Sequence, residues 1–311
     1  MSWLDLAFLI GTTVMYATPL MFASLGGTMT ENSGVINIGL EGMMTIGALM
    51  GATAGYYFHS AWIGFLVAGI AGGLLATLHG LATVTFQADH IVSGIAMNFL
   101  GGGLALFLAR LFFDGATQTI PLDLADKIPR PLNGVFPQNS FLDLIFNQYA
   151  TVFIAFGMVL VVWFLLYKTR LGLRIRSVGE HPEAADSLGI NVYRVRYFAV
   201  ISSGVLAGFG GASLSIAVVS RFMPTLISGQ GYIALAAMIF GKWRPQGAML
   251  ACLLFGAAQG LVVFLGGTDF VVPSELLATL PYVVTLVALV AFVGNQNAPA
   301  ADGQPFESGQ G

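Results

Sequence analysis

Residues 30–44 read Thr-Glu-Asn-Ser-Gly-Val-Ile-Asn-Ile-Gly-Leu-Glu-Gly-Met-Met, which sets Asn32, Asn37 and Glu41 at the opening of a long apolar segment. A charged side chain at membrane depth costs roughly 3 kcal/mol on insertion scales, so such a residue is expected to have a bonding partner or to face a wet pathway. On a continuous helix Asn37 and Glu41, four residues apart, share one face. That face can bond a neighbouring helix or line a cavity, and for Glu41 both remain open. The other polar residues within apolar stretches are His79, Asn98 and Gln259, with Asp89 and His90 at a boundary and Arg110 near an outer end. Asn98 and Gln259 suit interhelical bonds, and His79 suits a packed core position.

This set excludes more chemistry than it offers. No Gly-x-x-x-x-Gly-Lys-Ser/Thr loop, His-Glu-x-x-His or Gly-x-Ser-x-Gly sequence occurs, so neither ATP hydrolysis nor a metalloprotease or hydrolase centre is expected. His59, His79, His90 and His181 are scattered among segments, and Cys252 is the one cysteine, placed in an apolar run as a small core residue. No catalytic residue, metal or cofactor is expected. Carboxylates are also too sparse for an ordinary proton or sodium relay.

The elements that must position these residues are membrane helices. Apolar residues make up 56% of the chain and charged residues 9%, with 40 glycines, far from the roughly one-quarter charged content of a soluble domain. A net charge of -3 without a basic patch argues against nucleic-acid binding. Stretches of about 20 or more apolar residues lie near 6–25, 34–58, 61–86, 91–113, 148–167, 197–220, 245–267 and 275–293. A shorter stretch at 226–241 either spans or re-enters. The expected fold is therefore all-α, a polytopic bundle of about 8–10 transmembrane helices within residues 1–293. The amino terminus lacks the positive region of a cleavable leader, so the first apolar segment is expected to remain as a span. Residues 294–311 lack apolar periodicity and read as a disordered tail.

Two loops set the orientation. The 168–196 loop carries Lys168, Arg170, Arg174, Arg176, Arg194 and Arg196, half of the chain's 12 basic residues, and belongs in the cytoplasm. The 114–147 loop, with Asp114, Asp123, Asp126 and Asp143, belongs outside. Counting spans from these loops mildly favours a crossing at 226–241. Small residues four apart, at Gly47/Gly51/Gly55, Gly72/Ala76/Gly80, Gly204/Gly208/Ala212 and Gly256/Gly260, predict tight helix packing. Pro19 and Pro281 fall inside spans, where a kink is expected. Ser33–Gly39 and Ser228–Ala234 are faintly alike, each a glycine-rich opening to an apolar run, as in transporters built from related halves with interrupted helices.

Within the basic loop, Pro182 suits the first turn of a short helix, Glu183 its positive end and Gly189 its carboxyl-terminal cap. That helix is predicted to expose Ala184 and Ala185 as a compact knob that fits a cleft on a soluble partner.

The segment Gly179–Ile190, Gly-Glu-His-Pro-Glu-Ala-Ala-Asp-Ser-Leu-Gly-Ile, resembles the coupling segment of ABC importer permeases of the branched-chain amino acid, ribose and simple-sugar superfamily. Glu31–Met44 resembles that superfamily's opening signature, closest to the nucleoside and simple-sugar branch, and Ala88–Gly94 and Gly229–Ala236 resemble the same branch. The resemblance implies a permease in a bacterial plasma membrane that pairs with a second homologous permease, a cytoplasmic ABC ATPase and an extracytoplasmic substrate-binding protein or lipoprotein. It implies an ATPase-coupling role for Gly179, Glu180, Ala184, Ala185, Asp186 and Gly189. Asn32, Asn37, Glu41 and Asn98, polar at membrane depth and mostly within the matching motif, are the expected substrate pathway. Selectivity would rest largely on the binding protein, and nucleosides suit a pathway without strong charged ligands. The competing class is an ion- or proton-coupled secondary transporter or channel using Glu41, Asp89 and His90 without an ATPase.

Overall fold

The computed structural model describes residues 2–267, 273–292 and 298–307. Its long helices are α1 (Trp3–Glu31), α2 (Leu40–Phe58), α3 (Ala61–Gly80, ending in a π turn at Leu81–Thr85) and α4 (His90–Phe112). A short α5 (Phe141–Phe146) precedes α6 (Ala150–Lys168), α7 (Arg170–Glu180) and α8 (Pro182–Ser187). Then come α9 (Val192–Ala212, with a π turn at Ser213–Val218), α10 (Gln230–Phe240), α11 (Pro245–Gly266) and α12 (Ser274–Phe292). Among the described residues there is no strand. Pro19 lies inside α1 and Pro281 inside α12.

Among the described residues, six helices are long and apolar enough to cross a bilayer: α1, α3, α4, α6, α9 and α11. With α2, α12 and the half-length α10 they form the expected polytopic all-α bundle. Helix α2 is richer in glycine and threonine than a lipid-facing span, because it sits inside the bundle with most of its residues buried. Its partners are α3 and α9, and small residues set the spacing. A Cβ on Gly47 would come within 2.5 Å of the Gly208 Cα, and one on Gly64 within 2.5 Å of the Gly51 carbonyl oxygen. Bare backbones therefore touch, as the four-residue spacing predicts. Phe65 of α3 stacks on Phe209 of α9 with ring centroids 4.3 Å apart, beside this seam. Cys252 of α11 is buried against Ser24 of α1, its sulfur 3.2 Å from the hydroxyl oxygen.

One face of the bundle carries the 114–147 loop, which bonds to the chain just after α9 and its π turn through Thr119 N–H to Phe222 O and Leu122 N–H to Ser220 O. The opposite face carries α7 and α8, the carboxyl end of α1 and the turn between α10 and α11. The chain between these faces at 219–240 is a broken crossing. Residues near Ser220 hold the first face, an irregular segment descends to Gly229, α10 runs to Phe240, and in the turn after it Trp243 O accepts from Asn32 at the second. With 11 residues α10 is only about 16 Å long, half of the hydrocarbon thickness.

Two expectations change here. Asn37 lies in the non-helical stretch before α2, so it and Glu41 do not share a helical face. Residues 298–307 of the presumed disordered tail are folded onto the α7 face: Ala301 N–H donates to Gly179 O at 2.8 Å and Gly303 N–H to Gly34 O at 3.1 Å. The tail docks through backbone hydrogen bonds and a few anchors, which leave no apolar periodicity to read. The tail positions 294–297 and 308–311 lie outside the described residues.

Candidate functional site

Glu41 stands in the first turn of α2 and reaches the start of α10. Its two carboxylate oxygens accept hydrogen bonds from Gly229 N–H at 2.6 Å and Gly231 N–H at 2.7 Å. The amino-terminal turn of a helix has unpaired N–H groups and a partial positive charge, so a carboxylate there satisfies both at once. Gly229 makes the approach possible with φ +91°, a left-handed conformation without cost for glycine. The two glycine-rich motifs that look faintly alike in sequence therefore meet, the acid of one capping the broken helix of the other. Both contain a left-handed glycine, Gly34 at φ +83° and Gly229.

Asn98 of α4 completes this site. Its Oδ1 accepts from Gly42 N–H at 2.8 Å, and its Nδ2 donates to Ile38 O at 3.0 Å and to the Tyr232 hydroxyl at 2.9 Å. Asn37 is fully buried instead, donating to the Ser203 hydroxyl at 3.0 Å and accepting from Gly39 N–H at 3.0 Å. It fixes the irregular stretch to α9. His79 is likewise a core residue, with Nε2 3.0 Å from Ile36 O and Nδ1 2.9 Å from the Ser93 hydroxyl. Gln230 and Gln259 pair between α10 and α11 at 3.4 Å. The exposed members of the Glu41 cluster are Tyr232 and part of Asn98, and Gly102 and Gly103 on α4 leave open space beside them.

Asn32 is not part of that cluster. As the carboxyl-terminal cap of α1 it donates through Nδ2 to Thr28 O at 2.7 Å and Trp243 O at 3.1 Å, while the Trp243 indole N–H donates to Glu31. Asn32 also borders a polar cavity of about 420 Å³ with Tyr167, Arg176, Glu180, Lys242 and Arg244. Gly179, in the last turn of α7, lies so close that a Cβ there would strike the Asn32 carbonyl. The sequence did not single out Glu31 or Trp243. Their signal was present: a second carboxylate at a span end, and a tryptophan between Lys242 and Arg244.

In α8 Pro182 opens the helix, Glu183 lies in the first turn, and Gly189 follows it at φ +79°, bonded through its N–H to Asp186 O at 2.8 Å. Ala184 is exposed as expected. Ala185 is not: at 2% exposure it packs into the body, its N–H on His181 O and its carbonyl accepting from Ile190 N–H. A six-residue helix shows little more than one face, and the one bearing Ala185 is needed for anchorage. The knob's apolar tip is Leu188, 82% exposed. Glu180 faces the polar cavity and accepts from Ala300 N–H at 3.4 Å.

A multi-pass bundle with a broken helix capped at depth and a small knob on one face defines a membrane transport permease. The chain belongs to the family described as the permease component of branched-chain amino acid transport systems, which it matches over residues 9–293. It is 40% identical to the guanosine ABC transporter permease protein NupQ of Bacillus subtilis, over 98% of each chain. It is 42% identical to the nucleoside ABC transporter permease protein NupC of Lactococcus lactis, over 96% of each. Each of these organisms also has a more distant relative, NupP and NupB respectively, both 23% identical over 94% of this chain.

Proposed function

We propose that this chain is one permease half of an ATP-driven ABC importer for nucleosides in a bacterial plasma membrane, with the α7–α8 face in the cytoplasm. Its partners are a second, homologous permease, a cytoplasmic ABC ATPase and an extracytoplasmic substrate-binding protein or lipoprotein. The presence in one organism of both NupQ and NupP, and in another of both NupC and NupB, as similar but distinct permease proteins supports a heterologous second half.

The observation that carries this reading is the direct packing of Gly179 on the Asn32 backbone. A push on the Leu188-tipped knob travels along α7 into the end of α1 and the glycine-rich motif, and through Asn32 to Trp243 at the foot of α10. Closure of the ATPase pair therefore has a short, rigid route to the broken helix, and alternating access follows from reorienting it. In this reading Glu180, Ala184, Asp186 and Gly189 present or shape the ATPase-facing surface, and Ala185 anchors it. Asn98, with Tyr232, forms part of the pathway wall. Glu41 and Asn37 hold that wall in place, and Asn32 belongs to the transmission route.

The pathway chemistry supports a polar, uncharged solute. The Glu41 carboxylate is already engaged by two amides, leaving hydroxyl and amide groups at the open face. Two of the groups that an ion-coupled transporter would use have structural roles: Asp89 caps α4 through Val92 N–H, and His90 Nδ1 accepts from Ile36 N–H while its Nε2 has no partner. The test is uptake of radiolabelled guanosine into proteoliposomes holding the full complex. Uptake that survives inactivation of the ATPase would overturn the proposal.

A further inference from the structure

The tail at 298–307 touches α7, the glycine-rich motif and α9 and carries no part of the function so far described. Ala300 N–H and Ala301 N–H bond Glu180 and Gly179 of α7, and Gly303 N–H bonds Gly34 of the motif. Arg196 of α9 donates to Gln304 O at 3.0 Å. Phe306 is 5% exposed and lies against the Tyr193 ring of α9 with centroids 5.7 Å apart. Its carbonyl accepts from Gln87 Nε2 at 3.2 Å and from the Tyr193 hydroxyl at 3.3 Å.

A buried arginine faces the docked tail. Arg196 is 2% exposed and its Nε and Nη2 have no hydrogen-bond partner, yet the tail's Asp302 supplies an attractive charge beside it. Asp302 in turn bonds the Glu31 side chain, which accepts the Trp243 indole N–H. Arg196 also donates to the Gln304 carbonyl, so the tail gives this buried guanidinium a hydrogen-bond acceptor that it would otherwise lack. The chain Arg196–Asp302–Glu31–Trp243 thus joins α9, the tail, α1 and the foot of α10.

We propose that residues 298–307 are a transmission strap, with Asp302 and Phe306 as positioning residues, that binds the coupling helix to the glycine-rich motif so that the two move as one body during transport. This rests on the ABC importer reading. Without the strap, α7 would lose its links through Ala300 and Ala301 and meet the motif by direct packing such as that of Gly179 on Asn32, and motion of the knob would be transmitted less fully. With it, α7, the motif, α9 and the foot of α10 are tied at several points.

The experiment uses the complete complex in proteoliposomes and first establishes ATP-driven guanosine uptake by the native chain; failure there refutes the importer reading, not the strap. Two variants follow, Asp302→Ala with Phe306→Ala, and a chain ending at residue 297. The expected result is an assembled complex whose ATP hydrolysis changes by less than about twofold while transport falls by about tenfold, within the usual span of coupling between linked sites. Hydrolysis and transport falling in step with loss of complex, or transport unchanged, would overturn the proposal. In a second arm, Glu180→Cys and Ala300→Cys, with the transport of the unbridged double variant as the baseline, are bridged by a short thiol-reactive linker, the buried Cys252 being out of reach. Retained transport after bridging supports one-body motion. Transport lost on bridging and regained on cleavage would mean that the tail must release, and would overturn it.

Discussion

Replacing Glu41 by glutamine tests the half-helix reading most directly. The native carboxylate accepts from Gly229 N–H at 2.6 Å and Gly231 N–H at 2.7 Å. A glutamine of the same length keeps one acceptor and turns an NH₂ group towards the other amide, so one charge-assisted bond is lost and one donor faces another. Hydrogen bonds to charged groups contribute about 1.5–3 kcal/mol, and a favourable charge at a helix amino terminus about 0.3–1 kcal/mol. A local loss of about 2 kcal/mol corresponds to roughly 30-fold faster opening of the α10 start, at tenfold per 1.4 kcal/mol. Hydrogen exchange at the Gly229 and Gly231 amides measures that opening, and guanosine uptake by the complex reports its effect on transport. Glu41→Asp, one methylene short, should resemble glutamine, and Glu41→Ala, which removes both bonds, should exceed either. Protection of both amides unchanged in Glu41→Gln, combined with abolished uptake, would refute the capping argument and favour direct contact with solute.

Gly47→Ala should lower thermal stability by about 1–3 kcal/mol through overpacking against Gly208, whereas Gly102→Ala, with nothing near its Cβ, should leave the melting temperature unchanged or slightly raised. Leu188→Ala should keep the permease within about 0.5 kcal/mol of native stability while weakening ATPase capture in a pull-down; undiminished capture would remove Leu188 from the contact. Burial pushes the Asp302 carboxyl up to about 7, the Arg196 charge pulling the other way. A carboxyl raised in the folded state stabilises docking at low pH and loses that effect as pH climbs from its ordinary value, near 4, through the folded one. Tail protection from exchange should therefore fall by about tenfold between roughly pH 6 and 8, and Asp302→Asn should flatten this dependence.

The features legible in the sequence were those written in periodicity and turn chemistry. Apolar runs gave the helices, Pro182 and Gly189 bracketed α8, and a carboxylate in an apolar run marked Glu41 as exceptional. The partner of Glu41 was not legible, because it is a pair of backbone amides, and an amide carries no sequence signature until its helix start is known. Asn37 failed as a helical neighbour for a related reason: Gly34 and Gly39 keep the chain from helix until Leu40. Ala185 was read as exposed because alanine is neutral about burial, and only tertiary packing of a short helix decides its face. The tail was missed because docking by amides, one buried acid and one phenylalanine resembles the composition of a solvated segment.

The seam among α2, α3 and α9 has a consequence for motion. Where side chains interdigitate, a helix can shift by exchanging rotamers, each step small and cheap. At Gly47, Gly64 and Gly208 backbone meets backbone, with no rotamer to exchange and no slack to absorb a shift. The three helices therefore form a stator. The parts free to reorient are those held by capping bonds and polar pairs, α10 above all, which is held to α2 of this frame by the Glu41 carboxylate and to α4 and α11 by the Asn98–Tyr232 and Gln230–Gln259 pairs.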